Sequence, residues 1–130
     1  PAFVARGPSS LWHEIARAHD TLPACLAFSL KHTFRVVTAP CSPTQMAERI
    51  RLLKGTNFET DCLKVTAPTL VITGEPRLDR MVPVSSSKEF LHLIPHAVSA
   101  TLGRTGHIGL ISRPEDFAEI VEPFVAAHDF

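Results

Sequence analysis

Two side chains in the second half of the chain are spaced to do chemistry together, the carboxyl of Asp79 and the imidazole of His107. Each follows a short apolar, β-branched run. Thr69-Leu70-Val71-Ile72-Thr73 is entered by Ala67-Pro68 and stopped by Gly74, and Asp79 lies in the loop beyond. Residues 97–102 form a second run, and Gly106-His107 lies in the loop after it. Helix-length sequence separates the two. The pattern predicts strand, acid-bearing loop, helix, strand, histidine-bearing loop. It puts both groups just past the carboxyl ends of successive strands, the edge of an open α/β sheet where catalytic groups gather. An acid that orients an imidazole makes two of the three members of a nucleophile–histidine–acid triad. No G-x-S-x-G nucleophile elbow is present to supply the third.

The elements that must position this pair read as two halves. Residues 1–60 are expected to be a helical, cap-like segment. Ser9 or Ser10 can cap a helix with Leu11, Trp12, Ile15 and Ala18 on one face, and Pro23 is expected to break it. A second apolar stretch, Leu22 to Leu30, is helical to about Lys31. Ala39-Pro40-Cys41-Ser42-Pro43 is a turn-rich break. Ser42-Pro43-Thr44-Gln45 then has capping-box spacing, opening a helix that carries Met46, Ile50 and Leu53 inward and stops at Gly55.

Residues 61–130 alternate strand and helix. Ser85-Ser86-Ser87 offers N-caps for a helix through about Ile94, ended by Pro95. Ser112 and Glu115 suggest another capping box, with Pro114 in the first turn. Phe117, Ile120, Val121, Phe124 and Val125 make a wide helical stripe, within which Pro123 is expected to kink or end the helix near Glu122. Strand–helix–strand–helix with short links implies parallel strands, an α/β architecture.

Residues 61–125 resemble the C-terminal part of an α/β-hydrolase. The residues that carry the likeness are Ala67 to Glu75, then Asp79-Arg80-Met81-Val82-Pro83, Ile94-Pro95, Gly106-His107, and Arg113-Pro114-Glu115 with Phe117 and Phe124. The resemblance implies that Asp79 is the triad acid and His107 the triad histidine. The loop from Gly74 to Asp79 is longer than the family's short Gly-x-x-Asp, which leaves Glu75 as a lesser candidate acid. Residues 9–55 stand where the family often inserts a helical cap. The family's nucleophile precedes the acid in an elbow. The nearest look-alike, Gly7-Pro8-Ser9-Ser10-Leu11, lacks the second glycine, and helix capping is the better reading of its serines. Against an ordinary domain of about 250 residues, roughly the N-terminal half is expected to lie outside these residues.

Composition narrows the remaining possibilities. Lys plus Arg and Asp plus Glu are equal at 13 each, so nothing points to nucleic acid or an anionic membrane surface. No apolar run approaches the roughly 20 residues that span a bilayer, and Pro1 to Arg6 has no signal-peptide pattern. Cys25, Cys41 and Cys62 are scattered, with neither disulfide nor zinc spacing, which fits free thiols in a reducing, cytoplasmic setting. His13, His19, His32, His92, His96 and His128 have bland readings. No cofactor or metal is called for.

Two functions follow. In the first, the chain is a fragment of a hydrolase acting on a small-molecule ester or related acyl substrate, inactive alone for want of a nucleophile and oxyanion donors. In the second, it is a truncated, non-catalytic relic serving as an assembly or interaction module. Either way the outer edge of strand 69–73 is expected to need a partner, the missing N-terminal half or a second copy.

Overall fold

The computed structural model describes residues 11–39 and 42–128. Ser9, Ser10 and Cys41, and with Cys41 the middle of the expected break, lie outside the described residues. The chain opens on helix α1 (residues 11–18) and turns through three residues into α2 (Leu22–Thr38). The first helix does end ahead of Pro23, at residue 18, and Pro23 itself stands in the first turn of the second. Its lost N–H costs nothing in a first turn, and the Thr21 side chain caps the turn by accepting from Ala24 N–H. Helix α2 runs on to Thr38, well past Lys31, because no glycine or proline interrupts it. Helix α3 (Pro43–Lys54) has Ser42 as its N-cap and Gly55 as its C-cap, but the Ser42 side chain makes no capping bond. The short α4 (Phe58–Cys62), capped by Asn57, leads to the sheet.

Strand β1 (Leu70–Thr73) and strand β2 (Val98–Thr101) pair in parallel, Leu70 opposite Val98 and Thr73 opposite Thr101. The connection between them is helical in two short pieces, α5 (Val84–Lys88) and α6 (Phe90–Leu93). It starts one residue before the serine run, with Pro83 at the N-cap and no side-chain cap. After β2 come α7 (Gly109–Ser112) and α8 (Pro114–Ala126). Ser112 closes α7, so the N-cap of α8 falls on Arg113 and the expected Ser112–Glu115 box does not form. Pro123 does not end α8, which continues to Ala126. Residue 119, whose carbonyl loses its helical N–H partner to that proline, lies on the exposed side where water can replace it.

Helices therefore flank a parallel pair of strands, an α/β arrangement with a small core. Ile15 of α1, Cys25 of α2 and Ile108 of the loop after β2 cluster, with Leu11 and Phe28 packed beside them. The Cys25 thiol points at the carbonyl of Ile15 across the α1–α2 turn, 3.8 Å away. By contrast α3 buries no residue, and Met46, Ile50 and Leu53, expected to face inward, are all about half exposed or more. On α2 the residues Leu22, Leu26, Leu30, Phe34 and Val37 form an uncovered apolar stripe.

Candidate active site

The loop after β1 is folded by its own amides. Leu78 and Asp79 N–H both donate to the carbonyl of Glu75, at 2.9 and 3.0 Å, which closes a tight turn. The Asp79 side chain then turns back, and its Oδ1 accepts from Met81 N–H at 3.0 Å and Val82 N–H at 2.9 Å. One carboxylate oxygen thus fixes the loop. The other, Oδ2, faces Nδ1 of His107 at 3.8 Å. That is an ion-pair distance, slightly beyond a hydrogen bond, and a small rotation of either side chain closes it. Asp79 is nearly buried, at 11% side-chain exposure, whereas the His107 side chain is 43% exposed.

The two loops come this close because two glycines stand where they cross. A Cβ on Gly74 would fall 2.6 Å from the Gly106 carbonyl oxygen, and one on Gly106 would fall 2.6 Å from the Leu78 carbonyl. Both obstacles are backbone, which cannot swing aside. Neither glycine has a positive φ, so their role is close approach rather than unusual conformation.

Around His107 the loop is held by contacts distant in sequence. Glu75 N–H donates to Thr105 C=O at 2.8 Å, and Glu75 Oε1 accepts from Arg104 N–H at 2.6 Å. Glu75, the lesser candidate acid, is therefore engaged with backbone, and Asp79 is the acid that the fold brings to His107. Arg104 adopts a left-handed φ of 61°. Its guanidinium reaches helix α1 and the turn after it, bonding the Arg17 carbonyl at 2.9 Å and pairing with Asp20, whose carboxyl it holds below the usual range.

From helix α1, Glu14 enters the same loop. It is 1% exposed, and its Oε1 accepts from Gly106 N–H at 2.7 Å and Ile108 N–H at 2.8 Å. Burial pushes its carboxyl above 4.5; the amide donors of residues 106 to 108 pull against that shift, and the negative charge of Asp79 adds to it. Hydrogen bonds to a charged acceptor contribute about 1.5–3 kcal/mol each, so the contact is a strong tie between α1 and the histidine loop. Sequence reading missed Glu14. Its neighbours Ile15 and Ala18 set an inward face, but an acid beside that face reads as solvated.

A cavity of about 230 Å³ opens beside His107, lined by Ile72, Thr73, Leu102, Leu110 and Phe117 among others. The Thr73 hydroxyl is buried there without a hydrogen-bond partner among the described residues. A larger hollow, about 580 Å³, lies around Lys54 to Glu59 and includes neither Asp79 nor His107, so it has no share in this chemistry. Among the described residues no group of three or more His, Cys, Asp or Glu is placed to hold a metal ion. No described helix is long and apolar enough to cross a membrane.

The chain is similar in sequence to hydrolases. It is 39% identical over 71 residues to 2-hydroxymuconate semialdehyde hydrolase of Pseudomonas putida, covering 55% of this chain and 25% of the relative. It is 38% identical over 63 residues to 2-hydroxy-6-oxo-6-(2'-aminophenyl)hexa-2,4-dienoic acid hydrolase of Metapseudomonas resinovorans, covering 48% and 21%. With the pimeloyl-[acyl-carrier protein] methyl ester esterase of Xanthomonas axonopodis pv. citri it shares 27% over 99 residues, covering 76% and 38%. These relatives are hydrolases and an esterase by name, matched at modest identity and over part of each protein. The chain spans between 21% and 38% of the length of these three. No family model matches it, and no solved structure matches it significantly.

Proposed function

We propose that the chain is the C-terminal part of an α/β-hydrolase that cleaves an ester or related acyl bond, with Asp79 and His107 as triad acid and base. In this reading residues 1–60 form a helical cap-like segment and residues 61–130 the end of the catalytic core. The observation that carries it is the approach of Asp79 Oδ2 to His107 Nδ1 beyond the ends of two adjacent parallel strands. Asp79 holds the imidazole so that Nε2 is free to take a proton from a nucleophile and return it to the leaving group. The esterase name of the Xanthomonas relative supports an ester substrate, and the small fraction of each relative that aligns supports a nucleophile supplied from outside these 130 residues.

Without an elbow serine and its oxyanion donors, the chain alone is expected not to turn over esters. Two measurements test this. The coding frame upstream of Pro1 is expected to contain a strand followed by G-x-S-x-G. The protein expressed with that segment is expected to hydrolyse an activated acyl ester, with the rate falling about 10³-fold or more in His107→Ala. Saturable turnover by the 130 residues alone, abolished by a serine-directed inhibitor, would overturn the division of labour.

The second reading, a non-catalytic assembly module, is favoured by the uncovered apolar stripe on α2. Full folding of the 130 residues in a stable complex, with no elbow encoded upstream, would select it.

A further inference from the structure

Glu14 is the one acidic side chain fully buried among the described residues, and it is not itself a member of the Asp79–His107 pair. Burying a carboxylate is unfavourable unless it is well bonded. A residue that merely anchored α1 has no need of a hydrogen-bonding oxygen, as Ile15 and Ala18 on the same helix illustrate. The place where the Glu14 oxygen goes is specific. Oε1 takes the N–H of Gly106 and the N–H of Ile108, the residues on either side of His107.

We propose that Glu14 is a positioning residue for His107. By gathering the N–H groups of both neighbours onto one oxygen, it fixes the direction in which the His107 side chain leaves the backbone, and so keeps Nδ1 within reach of Asp79 Oδ2. The inference rests on reading Asp79 and His107 as an acid–base pair. Beyond the glycine crossing and the Glu75 contacts, side chains then hold each partner of the 3.8 Å approach: the Asp79 carboxylate is held by Met81 and Val82 N–H, and the neighbours of His107 by Glu14. Removing Glu14 frees the histidine side of the pair and leaves the Asp79 turn intact.

The test is the coupling between Asp79 and His107 in the 130-residue chain. It is read by NMR as the change in the His107 imidazole nitrogen chemical shifts when Asp79 is replaced by Asn. The coupling is measured in the wild type, in Glu14→Gln and in Glu14→Ala. Gln keeps an oxygen that can accept both N–H groups but removes the charge, whereas Ala removes both. The wild type is expected to show a clear change in those shifts. Glu14→Gln is expected to retain it, and Glu14→Ala to reduce it at least about twofold. If Glu14→Ala loses its folded spectrum, Glu14→Asp, one methylene too short to reach both donors, takes its place with the same expected loss. Equal coupling in every background overturns the proposal and leaves Glu14 as an anchor of α1, with the pair intact. No coupling in the wild type overturns the pair itself and the proposal with it.

Discussion

At position 106 an added methyl group would press on the Leu78 carbonyl and the Asp79 nitrogen, 2.6 and 2.7 Å from its carbon. Gly106→Ala must therefore drive the acid loop and the histidine loop apart. The expected cost is about 1–3 kcal/mol in urea unfolding, as for other overpacked sites. Gly103→Ala is the control: its Cβ would meet nothing within 4 Å, and its stability is expected to change by less than about 0.5 kcal/mol. Glu14 gives a pH signature. The unfolded chain titrates this carboxyl near 4.5 and the folded chain above it, so the fold binds the proton more readily. Its contribution to stability is complete below 4.5 and is lost as pH rises through the raised folded value. Glu14→Gln cannot titrate. The wild type is therefore expected to lose stability relative to Glu14→Gln as pH rises above 4.5 in paired urea titrations. The positions of Asp79 and His107 are legible in the sequence because each follows a strand whose β-branched run and glycine stop are local signals. Glu14 is not, because its partners lie 92 and 94 residues away and nothing near it in the sequence announces them.

Among the elements, both strands are visible in the sequence because period and punctuation agree there, and α8 by its apolar period alone. The helices of the first half are visible as helices but not in what they face. A stripe such as Met46, Ile50 and Leu53 states that some surface will cover it, and the covering surface is absent among the described residues. Pro23 and Pro123 illustrate a different gap: a proline is read as a stop until it is known to occupy a first turn or to spare a carbonyl that water can reach. Helix α2 offers a direct test of its uncovered side. Replacing Leu30 and Phe34, 72% and 69% exposed, by glutamine is expected to lower the binding of anilinonaphthalene sulfonate several-fold. Unfolding free energy should move by no more than about 0.5 kcal/mol, because neither side chain is packed. A large loss of stability instead would mean that the stripe is covered in solution.

For the whole molecule, the sheet is the open question in physical terms. Thr69 and Thr73 carbonyls accept from Val98 and Leu102 of the β2 side, at 2.9 and 2.8 Å. The alternate residues Leu70 and Ile72 therefore turn their N–H and C=O groups to the other edge, where the two-stranded sheet of the described residues offers no neighbour. The chain is expected to associate through this edge in size-exclusion chromatography with light scattering, at a mass above 14.2 kDa. Leu70→Pro, which removes one outward N–H, is expected to shift it toward the monomer. A wild-type monomer that unfolds cooperatively would show that the edge needs no partner. The thiol tucked under the α1–α2 turn adds a clock to the molecule. Cys25 is a free cysteine at 4% exposure, beside Ile15 and Ile108. An alkylating reagent can meet it only while α1 swings away from α2. With Cys41 and Cys62 changed to serine, the labelling rate measures how often that joint opens. Because α1 also carries Glu14 and contacts Arg104, each opening that frees the thiol also unfastens the loop of His107.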